Sequence, residues 1–129
     1  MEIKKYVIVL FVILSFSICN AQTFIITDIT PNANPSQEEI NKATKLIGTE
    51  FNLSFSDSDV TMIRKDDKGE THYILLQNIG NNKYRKYTSK DNNSYHELEL
   101  NTLLGYIKGG TFIHIHHGSF GGTFKFKRK

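Results

Sequence analysis

The residue types best suited to chemistry lie near the C-terminus, in Phe112-Ile113-His114-Ile115-His116-His117-Gly118. On a strand alternate residues share a face. His114 and His116 then point with Phe112, while Ile113, Ile115 and His117 point the other way. The two histidine Cα atoms stand about 7 Å apart, and imidazoles at that spacing can share a zinc ion. Further ligands must come from other strands; His72 and His96 are available, with Glu97 or Glu99 behind them. No cofactor is expected, and zinc or copper is the metal class this pattern would take. Against it, zinc takes three or four protein ligands in most sites, and the chain has no His-Glu-x-x-His. The plainer expectation is that Ile113 and Ile115 face the core, leaving His114 and His116 as polar residues of a solvent-facing surface. A third role is lining a small-molecule site, where Phe112, His114 and His116 are joined by Tyr84 and Tyr106. Tyrosine offers an apolar body with a polar tip.

Other constellations carry less. Gly118-Ser119-Phe120-Gly121-Gly122 lacks the Gly-Lys-Ser/Thr ending of a phosphate loop and opens no helix, so it reads as a hairpin loop. Ser119 beside His116 and His117 has no third group to orient a nucleophile–base pair. Asp57 and Asp59 read as a turn, because calcium needs more oxygen ligands at defined spacing. No catalytic motif emerges, and a non-enzymatic protein is expected.

The N-terminus speaks to destination. Lys4 and Lys5 precede a largely apolar run, Tyr6 to Ile18, and Cys19-Asn20-Ala21 places small residues before Gln22. A helix over that run spans roughly 20 Å against a hydrocarbon core of about 30 Å. It is too short to cross comfortably and fits the apolar region of a cleavable signal. The expectation is a signal peptide over residues 1–21 and a single β-rich domain over 22–129, secreted or periplasmic and without a stable membrane anchor. The alternative, an outer-membrane lipoprotein attached through Cys19, is opposed by bulky Ile18 just before it. Cleavage after Ala21 removes the sole cysteine, so packing rather than disulfides must hold the domain together.

The elements that would position the histidines follow from periodicity. Thr23 to Ile29 is β-branched and apolar, a first strand ended by Pro31 and Pro35. Ser36-Gln37-Glu38-Glu39 is a capping box, and Ile40, Ala43, Leu46 and Ile47 repeat at helical spacing up to Gly48. This predicts a helix over 36–47. Thereafter the period is two. Strands are expected at 51–55, 60–63, 71–77, 83–88, 95–100, 103–108, 111–117 and 123–127, with turn residues between them. The links are too short for parallel crossovers. The fold class is mainly β with one short α-helix: an antiparallel meander of about seven or eight strands, closed or partly open. The alternative is an open antiparallel sheet with the helix packed on one face.

A helix followed by Gly48-Thr49-Glu50-Phe51 at the start of an up-and-down meander resembles the calycin or lipocalin plan, with Phe51 where lipocalins carry tryptophan. The resemblance implies a closed barrel with an internal small-molecule site. Charge narrows the partners. Removing Lys4, Lys5 and Glu2 from a chain of formal net charge +3 leaves +2, and only Lys125 to Lys129 is a basic run. Nucleic acid is not an expected partner. That tail reads as a charged strand edge. The expected function is an exported small binding module for a small apolar ligand. The alternatives are an envelope protein-interaction or structural domain using an exposed sheet face, and histidine-based transition-metal binding. Oligomeric state is left open by the sequence.

Overall fold

The computed structural model describes residues 22–129; the expected signal lies outside them. The chain runs β1 (Gln22–Thr30), α1 (Gln37–Leu46), β2 (Glu50–Phe55), β3 (Asp59–Lys65), β4 (Thr71–Gly80), β5 (Lys83–Tyr87), β6 (Tyr95–Leu103), β7 (Tyr106–His116) and β8 (Ser119–Arg128). Each strand pairs antiparallel with the next, and β8 returns to β1, so the sheet closes as an eight-stranded barrel. This architecture is consistent with a calycin-like layout, and the open-sheet alternative is set aside.

Closure runs through β1. The sequence placed Gly48-Thr49-Glu50-Phe51 at the opening of the meander and left the sheet closed or partly open. In the structure that segment opens β2, and β1 lies between β2 and β8, bonded to both. Gly48, at φ +91°, turns the chain from the helix into the second strand; its N–H donates to the Ile26 carbonyl on β1.

The helix forms where its cap predicts. Ser36 Oγ accepts from the Glu39 N–H, while the Glu39 carboxylate accepts from the Ser36 N–H. Its apolar stripe is only partly used: Ala43 is buried, but Ile40, Leu46 and Ile47 remain exposed.

The interior is built from alternate residues of all eight strands. Phe24, Phe51, Leu53, Val60, Met62, Leu76, Leu98, Leu100, Ile107, Phe112 and Phe126 form one buried cluster, with Ile26, Phe55, Ile74, Tyr84 and Phe124 packed against it. Phe126 lies edge-on to Phe24 and Phe51, at 5.3 and 5.0 Å between centroids. These rings fill the middle of the barrel.

Two glycines expected as a turn prove to be strand. The expected strand 103–108 is not separate: Leu104 and Gly105, both at positive φ, turn β6 directly into β7. Gly109 and Gly110 lie within β7, where a Cβ would stand 2.2 Å from the Phe126 carbonyl oxygen and 2.1 Å from that of Glu99. Only a residue without a side chain permits that backbone approach.

Candidate functional site

The register decides where the histidines go. His96 on β6 pairs with His114 on β7, Leu98 pairs with Phe112, and Phe112 with Phe124. Directly opposed residues share a face of the sheet, so His114 shares the interior face with Phe112. The expectation of Ile113 and Ile115 in the core is reversed. They lie on the outer face, half-buried, while Leu98 and Phe112 hold the inside. Because both faces of this strand carry apolar residues, packing partners rather than alternation set its orientation.

The barrel end holding this pair is the one where β1 and β7 finish and β6 and β8 begin. His96 stacks on Phe112 at 5.3 Å and 19°, and the His96 and His114 centroids are 4.6 Å apart. Both Nδ1 atoms are buried and have no hydrogen-bond partner among the described residues. An unpaired buried polar atom costs about 1–3 kcal/mol, so these nitrogens stand out in an otherwise apolar lumen. Burial first, then the neighbouring His114 and Lys86, holds the His96 imidazole below its ordinary pKa. The neutral ring, with a free lone pair, is therefore favoured. Lys86 lies opposite His96 at the exposed rim.

Glycines shape the other side. The β7–β8 turn is only His117-Gly118, both at positive φ, and β8 starts at Ser119, earlier than the sequence indicated. The register shifts opposite His114 and Ile115, leaving Gly121 as the extra residue. A Cβ on Gly121 would meet His114 Cδ2 at 2.7 Å, and one on Gly122 the Pro31 carbonyl oxygen at 2.5 Å. The glycine-rich piece is thus a bulged strand that admits the imidazole and the loop leaving β1. Bulges of this kind re-aim side chains.

The other candidates divide. Tyr84 is half-buried one row deeper, edge-on to Phe55 at 6.2 Å. His116 is exposed at the rim, 5.9 Å from His114 between centroids. Tyr106 sits at the opposite end of the barrel, exposed beneath the Arg128 guanidinium at 4.2 Å, and does not join them. Glu97 and Glu99 do not back the histidines, for they pair with Arg85 and Lys83.

His72 belongs to a separate cluster on the β3–β4 hairpin. Its Nε2 is 2.7 Å from Asp66 Oδ2, and Asp66 Oδ1 accepts from the Lys68 and Glu70 N–H groups. Chiefly through the bond to His72, Asp66 is held below the usual aspartate pKa. Asp66, Glu70 and His72 place ligand atoms within 4.8 Å of one another, the only such group of three among the described residues. Asp66 and Glu70 escaped sequence reasoning because they read as turn residues. The histidines of β6 and β7 offer a pair, not a triad.

Two hollows indent the outer wall: one of about 360 Å³ beside Thr27, Lys108, Lys125 and Lys127, another of about 370 Å³ beside Glu50, Asn52, Arg64 and Thr71. Neither is lined by a candidate residue. The fold and this end define a closed antiparallel barrel with an apolar, packed lumen and a histidine-bearing mouth. No family model, curated protein or solved structure matches the chain.

Proposed function

We propose that this protein is an exported, non-enzymatic binding module whose ligand site is the mouth of the barrel at His96 and His114. One observation carries the reading: two buried imidazole nitrogens without a partner among the described residues lie on rings 4.6 Å apart, at the end of an otherwise apolar lumen. Buried polar groups are nearly always paired, with protein or with water, so two nitrogens without a protein partner favour a site that a bound molecule completes. A ligand there has Phe112 as its apolar floor and Lys86 at its rim. Aromatic rings fill the deeper lumen, which supports a site at the mouth rather than carriage within the barrel.

Export rests on residues 1–21. The outer wall carries charged Arg85, Glu97, Lys125 and Lys127 beside exposed Tyr73, Leu75 and Ile79, unlike the continuous apolar band of a transmembrane barrel. The test is ring NMR of the purified protein titrated with anilinonaphthalene sulfonate and with a medium-chain fatty acid. Shifts concentrated at His96, His114 and Phe112 support the reading. Saturation with shifts confined to the outer wall, or no shift with either probe, rejects it.

A further inference from the structure

Resting on that reading, the pair itself narrows what the mouth takes: we propose that His96 and His114 together hold one divalent transition-metal ion, zinc or copper, through their Nδ1 atoms.

The argument begins with what could satisfy both nitrogens at once. Had one Nδ1 carried a proton and faced the other's lone pair, the two rings would be hydrogen-bonded to each other; they are not. A cation accepting both lone pairs answers both atoms with one group, and neutral imidazole suits zinc and copper.

Ring spacing says which ligand positions the pair can fill. With a metal–nitrogen bond of about 2.0–2.1 Å, each ring centroid stands roughly 3.1 Å from the ion. Two such rings are then about 5 Å apart at a tetrahedral angle and about 6 Å apart in line. The observed separation is 4.6 Å with 33° between planes, closer to neighbouring than to opposed ligands and equal to an angle of roughly 95° at the ion. The His114–His116 separation, 5.9 Å, is that of opposed ones, and His116 is exposed.

Such a site has two protein ligands, so the remaining positions on the ion fall to small ligands entering from the rim, where Lys86 favours an anion. The β7–β8 bulge fits this: Gly121 gives the His114 ring the room that a methyl group would take.

The competing group is Asp66, Glu70 and His72, richer in carboxylate but already committed to its own turn. The test uses tag-free protein stripped with chelator and titrated with zinc chloride, read by the ring-nitrogen NMR signals of all five histidines. The expected result is that the Nδ1 signals of His96 and His114 move together and saturate at one equivalent, with His72 unmoved. His96→Gln and His114→Gln should each weaken zinc by about tenfold or more, while His116→Gln leaves it nearly unchanged. Zinc-induced shifts confined to His72, or none, overturn the proposal. The wild-type spectrum decides this even if a variant does not fold. Titrating the same sample with anilinonaphthalene sulfonate separates the two readings. A dye response at His96 without a zinc response rejects the metal alone, a zinc response without a dye response upholds the metal and rejects the apolar ligand, and silence to both rejects both readings.

Discussion

Replacing His96 with phenylalanine should make the protein more stable, and increasingly so in acid. The change removes an unpaired buried nitrogen that costs about 1–3 kcal/mol while keeping the stack on Phe112 at 5.3 Å. The larger ring returns part of that gain as crowding, typically about 1 kcal/mol or more. At the rim of a barrel the balance should be near 1 kcal/mol of added stability, about 4–8 °C in Tm for a domain this size. The pH term has a definite sign. An unfolded histidine takes up its proton near pH 6.5, whereas burial, with His114 and Lys86 nearby, holds folded His96 below that value. Its contribution is complete above about pH 6.5 and is lost as pH falls through the folded value. The variant lacks this loss, so its advantage should widen between about pH 8 and about pH 5. Urea unfolding followed by circular dichroism at both pH values measures it. A variant less stable than the parent by about 1 kcal/mol at the higher pH, or a gap that narrows in acid, would refute the reasoning.

Gly110→Ala places a methyl group against the Glu99 carbonyl and should cost about 3 kcal/mol by thermal melting. Gly121→Ala meets the edge of the His114 ring instead, and should cost about 1 kcal/mol while visibly shifting that ring's NMR signals. Ser36→Ala removes the capping box; amide exchange should quicken along α1 by the equivalent of about 1 kcal/mol, with the barrel amides unchanged. Phe126→Ala, which removes a ring in contact with Phe24 and Phe51, should cost about 3–5 kcal/mol in urea unfolding.

Local rules carried much of the fold. The capping box at Ser36–Glu39 and the period-two runs from Phe51 onward act over a few residues, so they could be read without knowing the partners. What depended on distant pairing could not. Gly109-Gly110 carries a turn's composition, yet it is needed where β6 and β8 approach β7; the actual turn, Leu104-Gly105, has an exposed leucine at positive φ. A register shift between Asn101 and Thr102 lets both Ile107 and Phe112 face inward, breaking simple alternation. At His114 itself, Phe112 on one face and Ile113 and Ile115 on the other are all apolar, so alternation alone does not say which face is inside. His96 was named as a partner for His114, but its direct opposition across β6 and β7 is a matter of register, which no local pattern specifies.

The seam between β1 and β8 has a consequence for how the protein comes to exist. It joins the two ends of the described chain: the Arg128 side chain donates to Gln22, 106 residues earlier, and the Lys129 N–H donates to the Thr23 carbonyl. Seven of the eight strand pairings link neighbours in sequence and can form as the chain lengthens. The eighth must wait until Ser119–Arg128 has been made. Until then β1 and the newest strand are bare edges, open to pairing with other chains. Such long-range closure also slows folding. The same adjacency makes the order of the strands dispensable. A chain whose ends are linked across the seam and reopened at the exposed Asn81-Asn82 turn should build the same barrel, with its last closure moved to β4 and β5.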